Sequence, residues 1–558
     1  MANMKSTSER RTPVLIVGGG PVGISLAMEL AWWNVESVLV NERPTTSLHP
    51  KGSTLNSRTM EHMRRMGLAE EIRKTGLPLD HPTDSIYVTR LAEFELGRLP
   101  MPTLREKISN PGPWGETLLT PEPIHRSNQF YFEAVMHAHA EAFEETDMRY
   151  AWRLSSFEDH GDYVSAQIED VRTGRRETMH CDFLVGCDGG NSVVRRQLGI
   201  SYGGRSSSGD RFYDGTMLSI YIRAPNILEV INMPVAWHYW TINPKGRVDF
   251  ITLDGEGEYV LLAEVPPGVP IGEIDVSAIV QNAIGADTEF EVISVEEWLA
   301  GLALVVDNYQ KGRVFLAGDA AHLFTPSGGF GFNTGIDDVS NLGWKLAAVL
   351  QDWAPIRLLD SYEVERKPIG VRNTAASGDY ANKIGSLEFS DFVDEDSERG
   401  VLARESLKST LLTFKEEFAS LGVVLGARYN TSPVISSDGS QPPPDERATY
   451  IPSACPGGRA PHYWINEHLS LYDQLGPWFT LLCLGPNPPD IKNFELAASK
   501  LNVPLRTVSI KDEAIYDLYE ASLCLIRPDQ HIAWRGNKLP EEPALIIRKV
   551  IGYDVVPN

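Results

Sequence analysis

Short apolar runs alternate with amphipathic stretches along the chain, and the first of them sets the pattern. Val14, Leu15, Ile16 and Val17 form an unbroken apolar run, as in a strand covered on both faces. Gly18, Gly19 and Gly20 stop it, and residues 21–33 then place Val22, Leu26 and Leu30 on one helical face. A second apolar strand, 37–40, ends in Asn41-Glu42-Arg43. This order predicts a βαβ unit. Helical patterns follow at 58–66 and 131–142, and strand patterns at 163–170 and 177–187. Residues 210–265 are rich in β-branched and aromatic side chains, with turn signals at Asn243-Pro244-Lys245-Gly246 and Asp254-Gly255. That stretch predicts an antiparallel sheet inserted into the α/β unit. A short buried strand at 314–317 leads through a Gly-rich loop to a long helix at 337–350.

Further on, the acidic stretch 388–399 reads as a solvated helix end or loop. Residues 436–445, with Pro442-Pro443-Pro444, read as a linker. Strands at 478–484 and 506–510, with helices at 491–501 and 513–519, predict a small separate α/β domain. No internal repeat is visible.

Composition narrows the class. The 558 residues suggest three or four domain-sized units. A net charge of −24 argues against a nucleic-acid or anionic-membrane surface. The 42 % hydrophobic content predicts a packed core rather than disorder. Cys181, Cys187, Cys455, Cys483 and Cys524 are odd in number and form no CxxC, which argues against a disulfide framework, a metal site and thiol redox work. The first eleven residues lack an apolar signal core, and no run of 18 apolar residues exists. The expectation is a cytoplasmic protein without a membrane span.

The candidate chemistry starts at Gly18-x-Gly20-x-x-Gly23, between a strand and a helix. In such a turn the first glycine allows the bend and the second lets backbone approach a pyrophosphate. The third lets helix and strand pack closely. The helix N-terminus offers free N–H groups to phosphates. Glu42 lies 42 − 18 = 24 residues after Gly18, where a carboxylate accepts ribose hydroxyls. The fingerprint alone does not separate NAD from FAD. Two later segments do: Gly186-Cys187-Asp188-Gly189-Gly190-Asn191-Ser192-Val193-Val194-Arg195, and Gly318-Asp319-Ala320-Ala321-His322 continuing through Pro326-Ser327-Gly328-Gly329-Phe330-Gly331-Phe332-Asn333. Asp319 follows a buried strand, where it accepts from a polyol hydroxyl. Residues 328–333 precede the long helix, so their N–H groups suit a flavin end that turns anionic on reduction.

On these residues the chain resembles the single-component (group A) FAD-dependent aromatic hydroxylases, the para-hydroxybenzoate and phenol hydroxylase group, over nearly its whole length. The resemblance extends to Asn-Ser-Arg-Thr-Met-Glu-His-Met-Arg-Arg-Met-Gly at 56–67, to Gln129 before a helix, and to Leu-Leu-Asp-Ser-Tyr-Glu-Val-Glu-Arg-Lys-Pro at 358–368. The tail motifs Pro456-Gly457-Gly458-Arg459-Ala460-Pro461-His462 and Leu525-Ile526-Arg527-Pro528-Asp529, with Trp534-Arg535, resemble the phenol hydroxylase and polyketide hydroxylase branch. That branch adds a thioredoxin-like domain.

The resemblance implies an α/β fold: a Rossmann-type FAD-binding domain with an inserted antiparallel β-sheet substrate domain and a C-terminal thioredoxin-like α/β domain. The implied division is 12–200 and 301–380 for FAD, 201–300 for substrate, 381–440 for a helical bridge and linker, and 441–558 for the C-terminal domain. It implies FAD, NADPH or NADH as co-substrate, O2, a small aromatic substrate and a homodimer. By resemblance, Gly18, Gly20, Pro21, Gly23, Glu42 and Arg43 hold the ADP part, and Gln129 and Asp319 the ribityl and pyrophosphate region. Gly331, Phe332 and Asn333 meet the isoalloxazine, with Arg58 and Gly329 in the cofactor set. Asp188 and Arg195 match the motif that touches both FAD and the nicotinamide cofactor. Pro326 matches the proline beside the flavin carbon that carries the C4a-hydroperoxide. Phe330 stands where relatives have a small or polar residue.

The implied reaction hydroxylates a phenolic or polycyclic aromatic ring. Phenols ionise near pH 10, so a base helps. Relatives often place His or Asp where this chain has Ser53, which leaves the base open between His49 and His238. Alternation through Val-Ala-Trp-His-Tyr-Trp-Thr (235–241) puts His238 and Trp240 on one strand face, with Trp237 and Tyr239 on the other. Relatives turn the first face to the substrate, so Ser53, His238 and Trp240 are expected at the pocket. His322 and Cys187 read as structural. Two other readings stay open: Baeyer–Villiger-type insertion or ring opening on a polyketide-like substrate, and a non-catalytic flavin-binding interaction protein.

Overall fold

The computed structural model describes residues 8–109, 116–207, 212–231, 233–265 and 269–555. The polar start through residue 7, the first residues of the expected inserted sheet (210–211), Asn232 within it and the last three residues lie outside the described set.

The first apolar run forms the strand Ser8–Val17, and it lies at the centre of an eight-stranded sheet. It pairs in parallel with Ser37–Asn41 on one side and Arg176–Gly186 on the other. Val314–Leu316 and Thr146–Tyr150 extend the parallel part at its two ends. Central parallel strands are covered on both faces, which is why Val14, Leu15 and Ile16 are fully buried. The helix Pro21–Trp32 lies against the long helix Gly331–Leu350, and both are buried along most of their length. The long helix begins six residues earlier than its sequence pattern suggested. Its first five residues include Gly331 and Gly335, which read locally as loop. Tertiary bonds hold it: the Asn333 amide donates to Thr54 O at 2.8 Å and Gly329 O at 2.6 Å.

The inserted sheet has seven strands, in the order Glu291–Ala300, Gly215–Arg223, Glu258–Glu264, Gly246–Thr252, His238–Asn243, Ser85–Val88 and Glu95–Leu99. The last two come from far upstream, and Ser85–Val88 joins His238–Asn243 in parallel. Both faces of His238–Asn243 are covered. Tyr239 packs with the helix Val276–Ile284 through Val280 and Ala283, while Trp240 and Ile242 pack with Leu407, Leu411 and Phe414.

The C-terminal unit is thioredoxin-like. A four-stranded sheet runs Leu505–Ile510, Phe479–Leu484, Leu523–Ile526, Ile532–Gly536, with the first pair parallel and the rest antiparallel. Its helices are Lys492–Lys500, Glu513–Tyr519 and Pro543–Val550. All five cysteines are free thiols. Buried ion pairs dock this unit: Arg459 on Glu61, and Arg527 on Glu365 at 2.6 and 2.8 Å. Among the described residues no helix is long and apolar enough to cross a membrane.

Candidate active site

The glycine turn shows why each position is glycine. Gly18 has φ of +112°, and a β-carbon there would lie 2.2 Å from Cys187 O. A β-carbon on Gly23 would lie 1.9 Å from Gly18 O, so the helix comes this close only without one. A β-carbon on Gly20 would meet nothing within 4 Å. No side chain caps the helix Pro21–Trp32, which leaves its first N–H groups facing that space. Glu42 and Arg43 lie exposed after the second strand. Asn41, one residue earlier, touches the turn, accepting from Gly19 N at 3.1 Å, and the Tyr150 hydroxyl donates to Gly19 O at 2.7 Å.

A cavity of about 710 Å³ lies between the 318–332 loops and the seven-stranded sheet. One wall is Asp319, Pro326, Gly329, Gly331 and Phe332, with Gln129 and the turn from Lys51 to Thr54 beside it. The opposite wall is Tyr213, Trp237, His238, Trp240, Asp249 and Ile251. Lys415, Glu417 and Phe418 close a third side, and Lys107, Glu116 and Arg126 a fourth. Gly331 and Phe332 open the long helix without a side-chain cap, and among the described residues no acceptor meets their N–H groups. Helix-end donors beside an open cavity fit the electron-rich edge of a flavin ring.

The sheet wall carries a linked polar group. His238, 5 % exposed, bonds through Nε2 to Asp249 Oδ1, and Asp249 Oδ2 accepts from the Tyr213 hydroxyl. The Nδ1 side of His238 meets only Ser85 Oγ, at 3.4 Å. Burial, then the Asp249 charge, pushes the Tyr213 hydroxyl well above the ordinary phenol range. Glu417 accepts from Gly328 N at 3.2 Å, and burial raises its carboxyl. The Trp240 ring packs edge-on to Phe212 and Tyr213, at 5.5 and 5.4 Å between centroids. Ser53 lines the cavity and accepts from the Asn128 amide at 2.9 Å.

Several expected site residues do other work. His49 is not among the cavity-lining residues. Its ring bonds Ser294 Oγ at 2.7 Å and Ser219 Oγ at 2.8 Å, and outside the cavity lining it is not placed to take a proton from a substrate there. Arg58 does not line the cavity either. It pairs with Glu61 at 2.9 Å and Asp337 at 3.3 Å, and donates to Gln530 Oε1 and Asp529 O of the C-terminal unit. Asn333 spends its amide on Thr54 and Gly329, while its oxygen accepts from Asn56 N at 3.0 Å, so its side chain locks two loops together. Asp188 Oδ2 accepts from Val193 N and Val194 N at the start of a short helix, and among the described residues its buried Oδ1 meets no donor. Arg195 donates to Ile200 O and Gly190 O. Trp237 lines the cavity beside His238, against the expected alternation, because the strand begins only at His238. Phe330 turns away into a cluster with Ala376, Tyr380 and Val423. His322 bonds Asp338 Oδ2 at 2.6 Å in the core. Burial raises the Cys187 thiol well above its usual range, which suits packing rather than nucleophilic chemistry.

Asp249, Tyr213, Glu417 and Arg126 were not picked out from sequence. Asp249 lies opposite Trp240 in the strand register, so a hairpin reading of 238–252 would have found it. Glu417 sits in a charged stretch that reads as solvated surface, and no local signal marks it.

Comparison with known proteins agrees with this geometry. A family model described as FAD binding domain matches residues 11–377, and one described as aromatic-ring hydroxylase, C-terminal, matches residues 453–552. The chain belongs to the FAD-dependent aromatic-ring hydroxylase family, alongside phenol and polyketide hydroxylases. It is 30 % identical to the FAD-dependent monooxygenase apdD of Emericella nidulans, over 99 % of this chain and 92 % of that one. It is also 30 % identical to 4-methyl-5-nitrocatechol 5-monooxygenase of Burkholderia sp, over 97 % of each. Among solved structures, the rebeccamycin biosynthetic enzyme RebC with reduced flavin superposes with a TM-score of 0.87 at 35 % identity, covering 98 % of this chain and 99 % of that one.

Proposed function

We propose that this chain uses NADH or NADPH and O2 to hydroxylate a phenolic or polycyclic aromatic substrate on bound FAD. The observation that carries the reading is one cavity walled by the Pro326–Phe332 loop on one side and by Trp237, His238 and Trp240 on the other. When bound, FAD supplies the electrons taken from NAD(P)H and the oxygen atom taken from O2. Gly18, Gly20 and Gly23 hold its pyrophosphate part. Gly331 and Phe332 give N–H groups to its ring end, and Gln129 and Asp319 lie on the same wall.

The protein's own residues then position and activate the substrate. Trp237 and Trp240 flank a flat ring, and Ile251, Phe324 and Phe418 exclude water around it. His238 donates Nε2–H to Asp249, which leaves Nδ1 as the basic nitrogen. A substrate hydroxyl passes its proton to Nδ1, and Asp249 balances the imidazolium that forms. The ring carbons ortho and para to the oxygen become richer in electrons.

His238→Gln tests this step. The variant is expected to oxidise NAD(P)H while losing hydroxylated product by about 10²-fold or more near pH 7. Product should recover toward pH 10, where the phenol ionises without help. An unchanged pH profile would remove His238 as base. Screening phenols, quinones and anthrones, a product with one added oxygen and an intact ring supports hydroxylation, whereas a lactone or opened ring supports insertion.

A further inference from the structure

We propose that the aromatic substrate carries a carboxylate, and that the Arg126 guanidinium on the cavity wall receives it. The inference rests on the proposed role of the cavity as the aromatic-substrate site. Arg126 is 8 % exposed and lines that cavity. Its Nη1 donates to Thr54 Oγ1 at 2.5 Å, and its guanidinium lies over the Trp237 ring, 3.6 Å from the centroid. Among the described residues no carboxylate lies within ion-pair distance of it.

Among the described buried arginines this is the exception. The buried arginines Arg58, Arg366, Arg459, Arg527 and Arg535 are all paired with carboxylates. The acid nearest to Arg126 in effect, Glu116, is already engaged. It accepts from Ser57 Oγ at 2.6 Å and Ile124 N at 3.1 Å, and it faces Lys107 Nζ at 3.4 Å. The wall therefore holds two cations against one satisfied carboxylate. A buried cation without a partner is costly, and a ligand that completes it is bound strongly. The planar fork matches a carboxylate, and stacking on Trp237 fixes its plane. Burial, offset only in part by the Glu116 charge, lowers its pKa to about 9. The position also suits a ring substituent: Thr54 lies 3.4 Å from where a Gly329 β-carbon would be, so the fork sits between the flavin-side loop and the aromatic wall.

The reduced flavin offers similar anionic chemistry, and the test separates the two sources. FAD-loaded full-length protein is titrated with 3-hydroxy-2-naphthoate and with its methyl ester, following the visible absorbance of the bound flavin. The acid is expected to bind the native protein about tenfold or more tighter than the ester. Arg126→Met should abolish that preference. Arg126→Lys, which keeps charge but not the fork, should restore it only in part. Should Arg126→Met fail to fold, Arg126→Gln carries the same comparison. An ester that binds as well as the acid, or failure of both to bind, overturns the proposal. So does a variant that changes FAD affinity or reduction potential while the acid preference survives. If the acid preference is found but no probe is hydroxylated, the substrate-anion inference stands and the hydroxylase reading is what fails.

Discussion

Replacing Gly20 and Gly23 separately divides what the glycine turn does for the fold from what it does for the cofactor. In Gly23→Ala the new methyl would lie 1.9 Å from Gly18 O, so strand end and helix start must part by more than ~1 Å to reach ordinary contact. Overpacking of this kind costs about 1–3 kcal/mol, and better helix propensity offsets up to ~1 kcal/mol. The FAD-free variant should be less stable by roughly 1–2 kcal/mol. In Gly20→Ala the methyl enters open space, and the backbone at φ −86° and ψ −174° suits any residue. The FAD-free protein should be as stable as the native one, or gain up to ~1 kcal/mol from a stiffer unfolded chain. Its FAD affinity should still fall about tenfold or more, because on the proposed reading the methyl would stand where the pyrophosphate approaches the backbone. Thermal melts of FAD-free protein and FAD titrations read the two effects. A Gly20→Ala protein that binds FAD as tightly as the native one, or a Gly23→Ala protein that melts at the native temperature, would refute the reasoning.

Three more outcomes are expected. Trp240→Ala should weaken aromatic binding and divert NAD(P)H oxidation from product, and Trp240→Phe should do so less; unchanged affinity and coupling would remove Trp240 from the site. Glu365→Ala should destabilise the protein by about 3 kcal/mol in thermal melts, since Lys345 loses its carboxylate and Arg527 keeps only Asp529, whereas Glu365→Gln should cost less. Burial lowers His62 and His462 to about 3, and His125 and His531 to about 4. These groups are neutral when folded and bind protons when unfolded, so their contribution is complete above about pH 6.5 and is lost as pH falls below it. At pH 5 each costs about 2 kcal/mol, and a melting temperature that stays flat from pH 7 to 5 would contradict this.

The strand–turn–helix–strand start was legible because its signal is local: an apolar run, three glycines and an amphipathic helix within about thirty residues. The parallel half of the tail, Phe479–Leu484 and Leu505–Ile510 with two helices, was legible for the same reason, whereas its thioredoxin-like character came from the resemblance of the tail motifs and the antiparallel strands Leu523–Ile526 and Ile532–Gly536 carried no local signal. The seven-stranded sheet was legible only in its middle. Ser85–Val88 reaches it through a parallel pairing with a strand some 150 residues away, and no local periodicity encodes such a contact. Site residues divide along similar lines. Pro326, Gly329, Gly331 and Phe332 lie together on the cavity wall because their motif is continuous in sequence. Arg58, His49 and Asn333 have suitable chemistry for a site, yet partners from distant segments have already used their polar atoms. Arg126 shows the reverse: among the described residues it meets Thr54 and the Trp237 ring but no carboxylate, and that is visible only when its neighbours are in place.

The central claim is that this cavity joins an oxygen atom from O2 to an aromatic ring at the expense of NAD(P)H. Turnover of FAD-loaded protein under 18O2, with an aromatic that stimulates NAD(P)H oxidation, tests it most directly. The account predicts a product that keeps its ring and carries one labelled oxygen atom, formed with one NAD(P)H consumed. A product labelled only from water, or NAD(P)H oxidation that yields peroxide and unchanged aromatic for every ring tested, would contradict it.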